Sequence, residues 1–372
     1  MPALSYTLLI DGQPAEIELM AALERIEMEQ HVDMADMLRL AFSTGLQDDG
    51  DWTIADADIF ARLTPIRLEV TVGSGPTELL AEAYVTETNL QISNSPGAST
   101  FDVVAMDPTI LMNLEEKVQS WTDMSDADIA TQIFQEYNFM TDVAPTSPVR
   151  QEAEQTVMQR GTDIQFLARL ARRNGYECGV RPDPTARLIT GHFHPPRLDG
   201  SPQGVLSVSM GEATNINGLS VRFDMIRPQV SVANGLDIES QSDQSAQVQS
   251  GELSELGAEA VFGGDRSRQV LLSETGLAEA GELQTYAQAA TDRSSWALTA
   301  NGNLNTAAYG AVLRAGETVN LRGAGTNFSG TYYVERVLHM LSGTSYEQYF
   351  TLRRNARGLT GSENFMDDLG LP

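Results

Sequence analysis

The stretch that most constrains this chain is Gln155 to Val180, QTVMQRGTDIQFLARLARRNGYECGV, which compresses a strand, a tight turn, a short amphipathic helix and a second strand. Gly161 and Thr162 supply the turn and the helix entry, and Asp163 sets a negative charge at the positive end of the helix dipole. Ile164, Leu167, Leu170 and Ala171 recur at three- and four-residue intervals and so share one buried face, while Arg169, Arg172 and Arg173 fall outside it. The last turn is therefore basic. Asn174 and Gly175 tolerate the left-handed conformation of a C-terminal cap before Tyr176 opens the next strand.

Strand patterning surrounds this unit. Leu4, Tyr6, Leu8 and Ile10 alternate up to Asp11-Gly12, and Ala15, Ile17 and Leu19 alternate after it, which predicts an N-terminal hairpin. Further strand patterns at Ile26 to Val32, Leu38 to Phe42, Ile66 to Val72, Leu79 to Ile92 and Phe101 to Met106 are separated by Gly, Pro, Asn and Asp clusters, a density that predicts a small barrel over 1–107. From Asp107-Pro108 the pattern turns helical, first over Thr109 to Val118 and then in a segment entered by Ser125, with Asp128 as the return half of a capping box and Ile129, Ile133, Phe134 and Tyr137 on its inner face. A hairpin around Leu188 to His194 completes a mixed α+β region over 108–200. Strands resume at Val205 to Met210, Gly218 to Phe223, Thr318 to Leu321, Gly330 to Met340 and Tyr346 to Arg353, a second barrel over 201–354. Inserted into it at about 239–296 are a Ser/Gln-rich run, Glu239 to Gly257, read as a surface loop, and a helix within Leu277 to Trp296 with Leu283, Tyr286, Ala287 and Ala290 on one face. The segment 355–372 reads as a tail or docking strap. The fold class is thus α+β, mainly β.

The two strand-rich regions echo one another. At a constant shift of 249 positions, the separation of Val70 from Val319, Val72 meets Leu321, Tyr84-Val85 meets Tyr333-Val334, Phe101 meets Phe350 and Val103 meets Leu352. Any even register of two strand regions preserves some of this phase, so chance similarity stands beside duplication.

Composition narrows the functional classes. With 24 Lys plus Arg against 51 Asp plus Glu, the formal charge of −27 opposes nonspecific attraction to nucleic-acid phosphates and anionic membranes. Cys178 is the single cysteine, so there is no intrachain disulfide and no cysteine-cluster metal site. The N-terminus lacks a basic flank before an apolar core, and no apolar run is long enough to span a bilayer, so neither an export signal nor a membrane span is expected.

Chemical motifs are sparse. His192 and His194 would point to one face of a strand, as a metal site requires, but without a His-Glu-x-x-His pattern a plain hairpin explains them as well. Gly323-Ala324-Gly325 lacks the helix and Lys-Ser or Lys-Thr of a phosphate loop and reads as a turn. Cys178 has no local activating base, and no Gly-x-Ser-x-Gly elbow occurs. Asp126 and Asp128 form an acid pair that a glycosidase would need, yet they sit where helix N-terminal charges belong. No catalytic, cofactor-binding or metal-ligating residue is assigned, no cofactor is expected, and the chain reads as a non-enzyme. Arg169, Arg172 and Arg173 form a basic helix end, either solvated or docking an acidic partner patch.

The string from Arg160 to Tyr176, with Gly161, Asp163, Phe166, Leu167, Leu170 and Gly175, resembles the signature of the phage late control gene D family, which includes baseplate hubs of contractile tails and injection systems and the hub part of type VI VgrG spike proteins. The run Leu313 to Arg354, with Gly330, Tyr332, Val334, His339 and a Tyr-bearing return strand, is similar to the end of those proteins. The resemblance implies a hub architecture of two related tube-like antiparallel barrels plus a middle domain, forming a homotrimer whose six near-equivalent faces match a hexameric tube above a trimeric spike. Its implied partners are further copies of itself, an inner tube protein, a spike protein and other baseplate components, with no nucleic-acid sequence recognition. The spike is expected as a separate polypeptide. The implied location is the baseplate of a phage virion or contractile injection particle assembled in the cytoplasm. A tail-associated cell-wall hydrolase and a host-binding tail protein are the alternative functions.

Overall fold

The computed structural model describes residues 4–149, 157–184, 186–237, 242–262, 267–273, 280–343 and 345–365. β1 (Leu4–Ile10) buries Leu8 and Ile10 and reverses through Asp11 (φ 48°) and Gly12 (φ 75°) into β2 (Gln13–Pro14). Positive φ at both turn residues is the two-residue hairpin geometry that matches strand twist. The alternation of Ala15, Ile17 and Leu19 does not extend the strand. A short helix, α1 (Ile17–Ala22), buries Leu19 in the first core and leaves Ile17 exposed. Three apolar positions cannot separate period two from a helical turn, and packing decides. β3 (Leu23–His31), β4 (Met37–Ser43), β5 (Pro65–Val72), β6 (Thr77–Gln91) and β7 (Thr100–Met106) follow the alternation and enclose a core that includes Phe42, Leu68, Leu80 and Val103.

Beyond Asp107, whose carboxylate accepts from the Thr109 amide, Pro108–Asn113 is a 3-10 turn rather than the first part of a helix reaching Val118. The chain then becomes β8 (Glu116–Trp121), because six residues of it pair with Val157–Thr162. Cross-strand pairing here overrides local helical pattern. α2 (Asp126–Glu136) starts from a complete Ser125/Asp128 capping box and buries Ile129, Ile133 and Phe134. There follow β9 (Met140–Val143), β10 (Val157–Thr162), α3 (Asp163–Asn174), β11 (Glu177–Pro182) and β12 (Ile189–His194), the last two a hairpin with β9 added in parallel. α2 and α3 pack with Trp121, Val180 and Phe193 into a second core.

The remaining elements are β13 (Val205–Ser207), β14 (Ile216–Phe223), β15 (Gln229–Asp237), β16 (Ser242–Val248), β17 (Glu259–Ala260), β18 (Arg268–Ser273), α4 (Ala280–Ser294), β19 (Leu298–Asn305), α5 (Thr306–Tyr309), β20 (Thr318–Arg322), β21 (Gly330–Ser342), β22 (Ser345–Arg354) and β23 (Ala356–Arg357). The Ser/Gln-rich run is not a plain loop. Its described part contains β16, which pairs with β15 and, with β18, forms a small sheet on which Ala233, Ala246 and Val248 meet Leu283 and Ala287 of α4. Residues 239–241 lie outside the described residues. The C-terminal strap folds back on its own chain: Asn320 and Arg322 donate to the carbonyls of Asn364 and Phe365, both at 2.7 Å.

The strand order carries the duplication. One set runs β3-β4-β7-β6-β5-β1 and the other β14-β19-β22-β21-β20-β13, the same order when strands are ranked along the chain. A bulge interrupts β6 against β7 between Val85 and Glu87, and β21 against β22 between Val334 and Arg336, which are the same places at the 249 shift. The sets differ at one edge, where β1 is antiparallel to β5 but β13 is parallel to β20. Tyr84 and Tyr333 occupy the equivalent strands β6 and β21. Phe101 and Phe350 occupy β7 and β22, but two residues out of step: Thr88 faces Val103 and its counterpart Val337 faces Phe350. The β6–β7 loop over 92–99 is longer than the tight turn at Gly343, so a gapless shift drifts there. β3 pairs β21 from Ile26↔Leu341 to His31↔Arg336 and joins both sets into one continuous sheet.

Candidate functional site

α3 begins at Thr162, whose side chain caps it, directly after Gly161 (φ +99°), where a side chain would meet the Gln165 amide. Its buried face is Asp163, Phe166, Leu167, Leu170 and Ala171, with Ile164 half-buried at the margin. Phe166 therefore takes the central place that the three- and four-residue spacing gave to Ile164. Asp163 does more than complement the dipole. It is buried and accepts from Lys117 Nζ at 2.7 Å, the Tyr137 hydroxyl at 2.6 Å and Gln159 Nε2 at 2.6 Å, and Gln159 Oε1 accepts from the Trp121 indole at 3.0 Å. Burial raises its carboxyl, but the hydrogen bonds from Lys117, Tyr137 and Gln159 outweigh that and leave it below the usual range, while burial and the Asp163 hydrogen bond push the Tyr137 hydroxyl up. Only the position of Asp163 at the helix start is visible in sequence; its partners come from β8, the C-terminal cap of α2 and β10.

Two of the three helix-end arginines are engaged within the chain. Arg173 forms a two-pronged ion pair with buried Asp126, which also accepts from Asn174, so Asp126 locks α2 to α3. Arg169 bonds the Arg160 carbonyl at 2.7 Å and lies 5.7 Å from the Phe166 ring. Arg172 is exposed. The cluster is thus not one solvated basic patch. Gly175, the left-handed cap (φ 72°), lies against Ala289 of α4, and Arg293 of α4 donates to the Arg172 carbonyl at 2.6 Å.

The second motif lies in the core of the other strand set and across its joint. Gly330 (φ +135°) lies against the Arg354 guanidinium. Tyr332 and Val334 are fully buried, and Arg354, also fully buried, lies 5.3 Å from the Tyr332 ring and donates to the carbonyls of Leu256, Ser329 and Gly358. His339 bonds Tyr346 at 2.8 Å and approaches Gln30 of β3 at 3.4 Å, and burial lowers its imidazole to about 3, a neutral ring at the joint between the sets.

Contacts that carried no sequence signal tie the middle elements to the sheet. Glu177 of β11 receives Arg353 at 2.8 Å and the Tyr333 hydroxyl at 2.6 Å, and Arg353 stacks 4.5 Å over Trp296. Arg314 bonds Glu78 across the two sets at 2.7 Å. Asp36 and Asp107 are buried together, the Asp36 amide donating to Asp107 at 2.6 Å. Burial, then the Asp107 charge, pushes the Asp36 carboxyl up to about 8, and burial pushes Asp107 up to about 6. Near them, a cavity of about 440 Å³ is bordered by Arg181, His192, His194, Arg197 and Arg314. The two histidine rings are buried, 5.5 Å apart, and burial lowers both below the ordinary imidazole range. No group of three or more His, Cys, Asp and Glu side chains suited to a metal occurs among the described residues. Burial pushes the Cys178 thiol up to about 12, the behaviour of a packed thiol. No helix among the described residues is long and apolar enough to cross a membrane.

Residues 2–343, from β1 through β21, match the family described as Alg8 N-terminal domain. The chain belongs to the Alg8 N-terminal domain family. No curated protein matches it. Among solved structures, this Alg8 N-terminal domain chain is similar to the 43 kDa tail protein of prophage MuSo2 from Shewanella oneidensis, with a TM-score of 0.68 at 14% identity over 95% of this chain and 99% of that one. It is similar to the tail protein from Neisseria meningitidis MC58, at 0.66 and 12% over 95% and 97%. It is also similar to the E. coli c3393 protein, a type VI secretion component described as resembling T4 tail proteins gp27 and gp5, at 0.55 and 13% over 93% and 76%. At these identities the likeness shows the fold: the Alg8 N-terminal domain chain is built as a mainly β tail-protein fold.

Proposed function

We propose that this chain is a structural baseplate hub of the late control gene D type, a homotrimer that adapts the hexameric inner tube of a contractile tail or injection device to a trimeric spike. The observation that carries this reading is the repeat of one strand order in two sets joined edge to edge within a single chain. Three such chains present six near-equivalent strand sets on one side while keeping threefold symmetry elsewhere, which resolves the mismatch between a sixfold tube and a threefold spike. The tail-protein fold of the solved structures it resembles supports the reading. So does the state of the polar groups: Asp163, Asp126, Glu177 and Arg354 hold elements together. That is the pattern of a scaffold rather than a reaction centre.

The hub's partners are an inner tube protein, a spike protein and neighbouring baseplate components, and its place is the baseplate of a virion or injection particle. The test is deletion of the gene in a particle-producing strain, with electron microscopy of the products and mass spectrometry of purified particles. The hub reading predicts no complete tails without the chain and three copies per baseplate with it. Complete, normally sized tails in the deletion strain would refute it.

A further inference from the structure

The β11–β12 hairpin carries opposite chemistry on its two faces. Strand alternation sends Val180 and Phe193 into the second core, while Gly179, Arg181, Thr190, His192 and His194 share the other face. That face borders the cavity of about 440 Å³, whose wall also includes the segment Arg314–Thr318 leading into β20. Two glycines shape it. Gly179 faces His192 across the ladder, where a side chain would meet the His192 ring at 3.0 Å, and Gly316 (φ +84°) lies so close to the Arg181 guanidinium that any side chain there would overlap it.

The polar atoms on this face are not used up by the fold. His192 is 5% exposed, yet neither of its ring nitrogens has a hydrogen-bond partner among the described residues, and the Arg181 Nη2, shielded from solvent, has none either. Nor does Arg181 join an ion pair among them. Buried donors and acceptors are normally satisfied, so a set of unmet ones on the wall of one cavity points to a ligand.

We infer that this cavity binds a phosphate group, free or as the head of a small phosphate monoester, through Arg181 and His192. Charge selects an anion. The charges bearing on His192 are those of Arg181, Arg197 and, when protonated, His194; with burial they keep the ring neutral, so that it offers one N–H to a ligand oxygen. The carboxyl groups on the wall do not cancel this field. Asp142 is taken up by Arg197 at 2.6 Å, the Asp36 carboxyl is pushed up to about 8 by burial and by Asp107 and is uncharged near neutrality, and Asp183 and Glu317 are exposed to water. Arg314 is already paired with Glu78, which leaves Arg181 as the cation on this wall open to a ligand. A guanidinium forks onto oxyanions, and donors spread over Arg181, Thr190, His192 and Ser201 suit the tetrahedral oxygens of phosphate better than the planar pair of a carboxylate. Bound there, the ligand ties the hairpin to the segment entering β20 and stabilises the chain by mass action. This site is independent of the hub reading.

The experiment is calorimetric titration of the full-length chain, at constant ionic strength, with inorganic phosphate, glycerol 3-phosphate and acetate. The expected result is one saturable site for phosphate, weakened roughly tenfold or more in Arg181→Gln and unchanged in Arg222→Gln, an exposed arginine that does not line the cavity. Tighter binding of glycerol 3-phosphate than of phosphate supports the site and assigns a monoester; the reverse order supports it and assigns free phosphate. A second readout on the unmodified chain keeps the test independent of how Arg181→Gln folds: in NMR spectra of the four histidines, phosphate should move the His192 ring signals and leave those of His339, buried at the joint outside the cavity, in place. No saturable heat up to about 10 mM phosphate or ester, equal weakening in both arginine variants, His192 signals that ignore phosphate, or acetate binding tighter than phosphate overturns the inference.

Discussion

Removing the Asp163 carboxylate should loosen α3 and its two neighbouring strands more than any other single polar change in the middle of the chain. Three donors converge on it, from Lys117, Tyr137 and Gln159. In Asp163→Ala the Lys117 ammonium, whose side chain is 23% exposed, turns to water and to Glu136, so its share of the loss is small. The Tyr137 hydroxyl and Gln159 amide each lose a charged acceptor, at about 1.5–3 kcal/mol per hydrogen bond. The sum is about 3–6 kcal/mol, overlapping the range of about 3–5 kcal/mol for breaking a buried pair from one side. Native-state hydrogen exchange at α3 amides reads this as opening roughly 10²- to 10⁴-fold more frequent.

The pH dependence has a definite sign. The Asp163 carboxyl is lowered in the folded chain, because hydrogen bonds from Lys117, Tyr137 and Gln159 outweigh the opposing effect of burial. Its stabilisation is therefore complete above the unfolded-state value of about 3.9 and is lost as pH falls through the lower folded-state value. The difference between parent and Asp163→Ala, corrected for intrinsic exchange, should hold constant from neutral pH down to about 4 and shrink below it. A difference under about tenfold, or one that ignores pH down to 3, would refute the network's role.

Leu167 is fully buried, so Leu167→Ala should lower unfolding stability by about 2–5 kcal/mol in a denaturant titration. Arg172→Ala should leave that titration within about 0.5 kcal/mol and reduce particle assembly seen by electron microscopy; equal damage to stability in both variants would mean the α3 face is misassigned. Gly175→Ala forces a side chain into a left-handed cap (φ +72°) against Ala289, and should destabilise by at least about 1–2 kcal/mol in the same titration. Asp36 is raised to about 8 by burial and by Asp107, so the stability it contributes is present below about pH 4 and lost as pH rises through 8; Asp36→Asn should melt higher than the parent at pH 8.5, with the gap closing toward pH 4.

Long alternating strands and capped helices were readable because burial and local pattern agree there. β5 alternates cleanly, and Ser125 with Asp128 forms the capping box that its spacing implied. Where tertiary pairing decided, pattern failed: Glu116–Trp121 became a strand because β10 needed a partner, and polar Ser242–Val248 became a strand because Ala246 and Val248 found α4. The repeat was legible through Tyr84 and Tyr333 but slipped at Phe101, where a longer loop precedes β7. The joints were not legible at all. Glu177, Tyr333 and Arg353 are far apart in sequence, and nothing local marks Asp163 as the acceptor of three distant donors.

Cryo-electron microscopy of the assembled baseplate tests the central claim most directly, by counting copies of this chain and tracing the strand edges between them. The hub reading predicts three copies closed into one ring, with six strand sets beneath the tube. A single copy, or a ring whose copy number does not match the spike's threefold symmetry, would contradict it.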